Sequence, residues 1–170
     1  EVEDMDVIEA QVLIQAAKHT ASKMRWQAKP ERSSGYFQYY TVLWLQNEIR
    51  EDLYLRMVYR GEKTQTYGRA RIPCGRNLSV NLIASNQRIL AYDLADQPHA
   101  NRTGKGMPYY GQTIRGLHRH IWTAEGEGYA EPLVLTDDHT QTIIEAFLQE
   151  THITLDGGYR PPPPEQLTLF

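Results

Sequence analysis

One cysteine, Cys74, stands in 170 residues, so no intramolecular disulfide can brace the chain, and a reducing compartment, the cytoplasm, is expected. No apolar run reaches the length of a membrane span, and no secretory leader is visible, so no membrane association is expected. An excess of positive charge is also missing: 18 Lys and Arg stand against 21 Asp and Glu, for a net charge of −3. Without a global basic field, tight direct binding of a polyanion is disfavoured, and a protein acting on DNA would need another route to it. Thr103-Gly104-Lys105-Gly106 lacks the preceding strand and the glycine spacing of a nucleotide-binding loop.

What the sequence does contain is globular. Apolar residues make up 41% and charged residues 23%, and the length suits one domain with a core of its own. Apolar or small residues recur at helical spacing from Val7 to Met24, which predicts an amphipathic helix over Asp6–Gln27 ended by Pro30 and Ser33-Ser34-Gly35. From Tyr36 the texture turns aromatic and β-branched. Tyr36–Gln46 reads as a strand, and Leu53, Leu55, Met57 and Tyr59 share one face of the next. Leu78–Ser85 and Arg88–Leu94 read as a hairpin across Asn86-Gln87, and Leu117–Thr123 and Ala130–Leu135 as another.

Between these hairpins, residues 97–116 are rich in Gly and Pro and read as a long loop of the kind that often serves function. Ile143, Ile144, Phe147 and Leu148 form the stripe of a final helix behind Thr136-Asp137-Asp138. The order of helix, roughly six or seven strands, then helix predicts an α+β fold: a largely antiparallel sheet flanked by an N-terminal and a C-terminal helix. The expected organisation is one domain over residues 1–155, a Gly/Pro-rich linker over 156–165 with a polyproline run at Pro161–Pro164, and a peptide over 166–170.

That peptide is Gln166-Leu167-Thr168-Leu169-Phe170. Exposed, it would be an adhesion hazard unless a partner covers it. It resembles the sliding-clamp-binding motif of bacterial replication and repair proteins, whose pattern is Gln-Leu, any residue, Leu-Phe. The resemblance implies a partner, the sliding clamp (beta subunit) of bacterial DNA polymerase III. Leu169 and Phe170 would fill an apolar pocket, Gln166 would hydrogen-bond beside it, and Leu167 would pack between. It implies a protein that modulates or inhibits DNA replication or repair, of toxin-like or phage-takeover type where blockade is the purpose.

A second constellation carries chemistry. His118 and His120 fall on one face of a strand together with Trp122, while His99 and Asn101 stand upstream in the long loop. Asp93 ends the preceding strand, and Glu125 follows at the next turn. His99, His118 and His120 can together hold a divalent metal. Without metal, a His pair can serve as general acid and base, with Arg119, Arg115 or Lys105 stabilising charge. The bland alternative is a set of polar strand residues that cap a loop by hydrogen bonds.

The stretch from Arg88 to Leu155 loosely resembles small uncharacterised bacterial and phage proteins that share Pro-His-x-Asn and His-x-His. That resemblance groups His99, Asn101, His118, His120 and Glu125 as one catalytic site, by analogy with small toxin-like nucleases. The alternative function is therefore a His-dependent nuclease or phosphodiesterase, metal-dependent or not, recruited to DNA by the tail and contacting nucleic acid. The first cupin motif is excluded for His118-Arg119-His120 and Glu125. It falls too late in the chain, and no second motif follows.

Overall fold

The computed structural model describes residues 5–30 and 35–166. Its first element is set by a capping box. The Asp6 carboxylate accepts from the Glu9 amide at 2.8 Å, and the Glu9 carboxylate accepts from the Asp6 amide at 3.1 Å. Helix α1, Val7–Gln15, runs for only nine residues, not to Gln27 as the periodicity predicts. At Ala16 the backbone becomes extended, and the Lys18 ammonium donates to the last carbonyls, those of Leu13, Ile14 and Ala16. The chain then enters strand β1, Lys18–Thr20, which is paired on both sides. Two flanking strands supply more backbone partners than a further helical turn would, so pairing overrides local propensity. Strand β2, Gln27–Ala28, follows.

Strands β3, Tyr36–Leu45, and β4, Glu48–Arg60, meet across Gln46 and Asn47, both at positive φ, and form the centre of the sheet. A separate exposed hairpin, β5 (Lys63–Tyr67) with β6 (Ala70–Cys74), precedes β7, Asn77–Ala84, and β8, Gln87–Leu94. The β7–β8 turn lies at Ser85-Asn86, with φ of 50° and 63°, one residue earlier than expected. Positive φ at both central residues matches the right-handed twist of the flanking strands. The long loop contains a small ladder of β9, His99–Ala100, with β10, Thr113–Ile114. Then come β11 (His118–Thr123), β12 (Gly126–Pro132), helix α2 (Thr140–Glu150), β13 (Ile153–Thr154) and a short helix α3 (Pro163–Gln166).

The fold is α+β. A nine-stranded sheet runs in the order β12-β11-β8-β7-β4-β3-β1-β13, with β2 attached to β3. Every pairing in it is antiparallel except β1 with β13. One face carries the core. Leu53, Leu55, Met57 and Tyr59 of β4, with Leu78, Val80 and Leu82 of β7, are buried together with Ile143, Ile144 and Phe147 of α2. Phe147 meets Tyr92 edge-on at 5.1 Å.

The register also defines the opposite face, because directly paired residues point the same way. Gln38, Val58, Ser79, Asp93 and His118 form one row across five strands. Tyr40, Arg56, Asn81, Ala91 and His120 form the next row. This face is polar.

Residues 156–165 are not the free spacer the composition suggests. The Trp26 indole donates to the Arg160 carbonyl at 2.9 Å, and Pro162 is buried. The Glu165 carboxylate accepts from the Tyr59 hydroxyl at 3.0 Å and from Thr140 at 2.6 Å. A rigid polyproline stretch loses little entropy on docking, so a few contacts suffice to hold it against the body. His19, expected on the first helix, lies on β1 and stacks on Trp44 at 5.7 Å. Gln166 is exposed, with its side-chain amide donating to the Pro161 carbonyl at 2.8 Å. Leu167, Leu169 and Phe170 lie outside the described residues. Among the described residues, no helix is long and apolar enough to cross a membrane.

Candidate metal centre

Strand alternation brings His118 and His120 to one face of β11, and pairing with β8 sets Asp93 opposite His118. The β9–β10 ladder folds the long loop back so that His99 completes the group. Its ring lies 4.6 Å from that of His120 and 5.7 Å from that of His118. One ring nitrogen of each histidine lies within 4.8 Å of one from each of the others. His118 and His120 are buried, and His99 is partly so. A cavity of about 440 Å³ opens onto all three, bounded also by Asp93, Ser79, Arg88 and Tyr36.

Each ring is oriented by an oxygen. His118 Nδ1 lies 2.8 Å from the Gly116 carbonyl and His99 Nε2 lies 2.7 Å from the Gly128 carbonyl, so in the neutral rings these nitrogens donate. The lone pairs then sit on His118 Nε2 and His99 Nδ1. His120 Nε2 lies 3.0 Å from Asp93 Oδ2 and 3.1 Å from His118 Nε2. His120 Nδ1 is buried and has no hydrogen-bond partner.

Burial pushes the His118 imidazolium below its ordinary pKa. The neighbouring His120 and His99 add to that, against the opposing pull of the Gly116 carbonyl and Asp93. The ring is therefore neutral at pH 7, the form that ligates metals. At Asp93 burial acts to raise the carboxyl. The hydrogen bond from His120, the Arg88 charge and the Ser79 hydroxyl outweigh it and hold the group below the usual carboxylate range.

These residues suit a divalent transition metal. An ion bound at ~2.0–2.1 Å by two imidazoles sets its nitrogens a little over 3 Å apart, the separation already present between the Nε2 atoms. Asp93 Oδ2, 3.0 and 3.9 Å from those atoms, can neutralise the ion or join its ligands. The purely structural alternative explains two loop-facing nitrogens, but it leaves the inner nitrogens crowded together.

The structure separates the other sequence candidates from this centre. Asn101 is buried and saturated. Its amide donates to the Ala130 carbonyl at 2.6 Å and the Tyr109 carbonyl at 3.0 Å, and its oxygen accepts from the Ala130 amide at 2.8 Å. Glu125 accepts from the Gly104 amide at 2.7 Å. Both peg the long loop to β12 and neither bounds the cavity, so their geometry assigns them to holding the loop and not to catalysis. Gly104 itself is required there, because a Cβ would lie 2.5 Å from the Tyr129 ring.

Arg119 falls on the opposite face of β11 by alternation and pairs with Glu131 and Glu150. Arg115 and Lys105 are exposed away from the cavity. The shared face read for Trp122 also fails. A register shift between Ile121 and Thr123 accompanies its packing in the core, with the indole donating to the Met5 carbonyl at 2.9 Å. Sequence reading missed Arg88, which donates to Asp93, Asn81 and Glu127. It also missed Ser79, which donates to Asp93 at 2.6 Å. The alternation of Asn77, Ser79 and Asn81 with Leu78, Val80 and Leu82 was the signal that placed Ser79 on this face. A scan against protein-family models, a search of curated proteins and a search of solved structures each return no match, so any functional reading rests on the site's own geometry.

Proposed function

We propose that the protein is a divalent-metal-dependent hydrolase of phosphodiester bonds, with the metal held by His99, His118 and His120. The observation that carries this reading is the cluster of three imidazoles, two of them buried, opening onto a cavity with the Nε2 atoms of His118 and His120 only 3.1 Å apart. A metal in such a site lowers the pKa of a bound water. The ion would supply a hydroxide nucleophile for attack at phosphorus, the displaced oxygen leaving with a proton. Asp93 Oδ2, beside the Nε2 atoms of both His118 and His120, would neutralise the ion or join its ligands in this scheme. Arg88, at the cavity wall, supplies positive charge for the phosphoryl oxygens.

The test is zinc or manganese titration by calorimetry, beside hydrolysis of bis(p-nitrophenyl) phosphate. Wild type should take up one metal per chain and turn over the diester, and His118→Ala with His120→Ala should do neither. A wild-type protein that binds no metal at micromolar concentrations and cleaves nothing would end the proposal.

A second reading rests on Gln166-Leu167-Thr168-Leu169-Phe170, whose residues fit the bacterial sliding-clamp motif. On this reading the protein docks on the clamp beta subunit in the cytoplasm. There it modulates replication or repair, either by competing with polymerases or by delivering the hydrolase to DNA. Deleting Leu169 and Phe170 should abolish capture by purified clamp. Capture that persists without them removes the docking peptide from consideration.

A further inference from the structure

The polar face extends well beyond the histidines. Four interstrand steps of about 4.8 Å lead from β11 across β8, β7 and β4 to β3, so the track ends roughly 19 Å from the metal centre. At that end Tyr40 and Tyr54 form a tilted ring pair with centroids 4.8 Å apart, and Tyr40 is 48% exposed. Between this pair and the cavity lies Arg56, whose only hydrogen bond to a side chain among the described residues is to the Gln38 amide oxygen at 3.3 Å. Lys23 and Arg25 border a second cavity of about 480 Å³ that touches Gln38 and Tyr40. Among the described residues, none of Arg56, Lys23 and Arg25 is within ion-pair distance of a carboxylate. The acids at the metal end are already engaged: Asp93 with His120 and Arg88, Glu127 with Arg88. The face that leads to the candidate metal centre thus carries a tyrosine pair and Arg56, which lacks an ion-pair partner among the described residues, with Lys23 and Arg25 at the cavity beside it.

We propose that this face binds single-stranded nucleic acid, with bases stacking on Tyr40 and Tyr54 and phosphates following Arg56 toward the histidines. The proposal rests on the phosphodiesterase reading and names its substrate class. Sheet-borne aromatics suit single strands because every unpaired base offers a ring face, whereas a duplex keeps its bases stacked inside. Free cations beside the rings serve the backbone charge. DNA and RNA share both features, and the experiment separates them.

Fluorescence anisotropy in EDTA, which prevents cleavage, would use labelled DNA and RNA single strands of about 12 nucleotides, within the ~4–16 nucleotide span of such surfaces. A duplex of the same length is the control. Single strands should bind well above the duplex, and the better of the DNA and RNA arms identifies the substrate. Tyr40→Ala with Tyr54→Ala should weaken binding about tenfold or more, and Tyr40→Phe should retain it, since stacking needs the ring and not the hydroxyl. Arg56→Ala should reduce the slope of log affinity against log salt by about 0.7, the value for one phosphate contact on a single strand.

In zinc-loaded protein, the double tyrosine variant should hydrolyse bis(p-nitrophenyl) phosphate like wild type while cleaving oligonucleotides more slowly. That unchanged hydrolysis also shows that the variant is folded. Small-diester hydrolysis without oligonucleotide binding, equal binding of the duplex, or binding indifferent to Tyr40, Tyr54 and Arg56 would overturn the track and leave the metal centre standing. Tyrosine-dependent binding with no diester hydrolysis would retain the track and defeat the phosphodiesterase.

Discussion

The two faces of the central sheet are built from the same strands but obey opposite rules. On the helix-covered face, Leu55, Met57, Val80 and Phe147 are buried to the last few square ångströms, and the Lys18 ammonium is tied off by three carbonyls, although the Tyr159 hydroxyl against that core has no partner among the described residues. On the other face, His118 and His120 are nearly as buried and Asp93 partly so, yet a ring nitrogen has no partner and three imidazoles crowd one point. Burial that closes every hydrogen bond stabilises a fold. Burial that leaves one open, with basic nitrogens facing each other, is a cost that the proposed metal would offset by binding the facing nitrogens. Adjacent residues of a single strand, such as Val80 and Asn81, belong to these two regimes in turn.

The largest effect on stability is expected on the covered face. Phe147→Ala removes a fully buried ring from its contact with Tyr92 and should cost about 3–5 kcal/mol in chemical denaturation. Next comes the loop that delivers His99. Asn101→Ala strands the Ala130 amide and carbonyl and should cost about 2–3 kcal/mol, with metal affinity falling as the β9–β10 ladder loosens. If stability holds while metal binding is lost, Asn101 belongs to the site chemistry instead.

A smaller, pH-dependent effect comes from Lys18, whose ammonium is pulled down to about 8 by burial. Between that value and the ordinary 10.5, the unfolded chain binds the proton more tightly than the folded one, so stability rises with pH from about 8. The slope is at most ~1.4 kcal/mol per pH unit and reverses near pH 10, where tyrosines ionise more readily in the unfolded chain. Lys18→Met should flatten the rise, and denaturation midpoints measured across this window check it. His120→Leu should have the smallest effect on the fold and sharpen the contrast most. In EDTA its stability should stay within ~1 kcal/mol of wild type or exceed it, because a nitrogen without a partner is removed. With zinc at a hundredfold above its dissociation constant, wild type should gain about 2.7 kcal/mol and the variant nothing. A large loss in EDTA would make His120 a structural residue.

Several of these features could be read before folding was considered. Strict alternation marked Leu53, Leu55, Met57 and Tyr59 as one face, and all four are buried. The His-x-His spacing put His118 and His120 on one side of a strand by geometry alone. The extent of the first helix could not be read, because Lys18–Thr20 is recruited by strands β3 and β13, the latter more than 130 residues downstream. Nor could the roles of Asn101 and Glu125, whose partners lie 29 and 21 residues away. Alternation gave the face of Ser79 but not its partner, which it reaches across strands. Arg88 lies five residues from Asp93 on the same strand, a spacing that strict alternation would put on the other face were it not for the irregularity opposite Leu82 and Ile83.

The sequence by itself determined the α+β class, the alternation of the strands and the shared side of His118 and His120, because period and turn chemistry are local properties of the chain. Tertiary structure alone decided which polar residues meet. Register and loop closure bring His99 onto β11, seat Asp93 beside His120 and pair Arg119 with Glu150, and these depend on contacts among residues far apart in sequence.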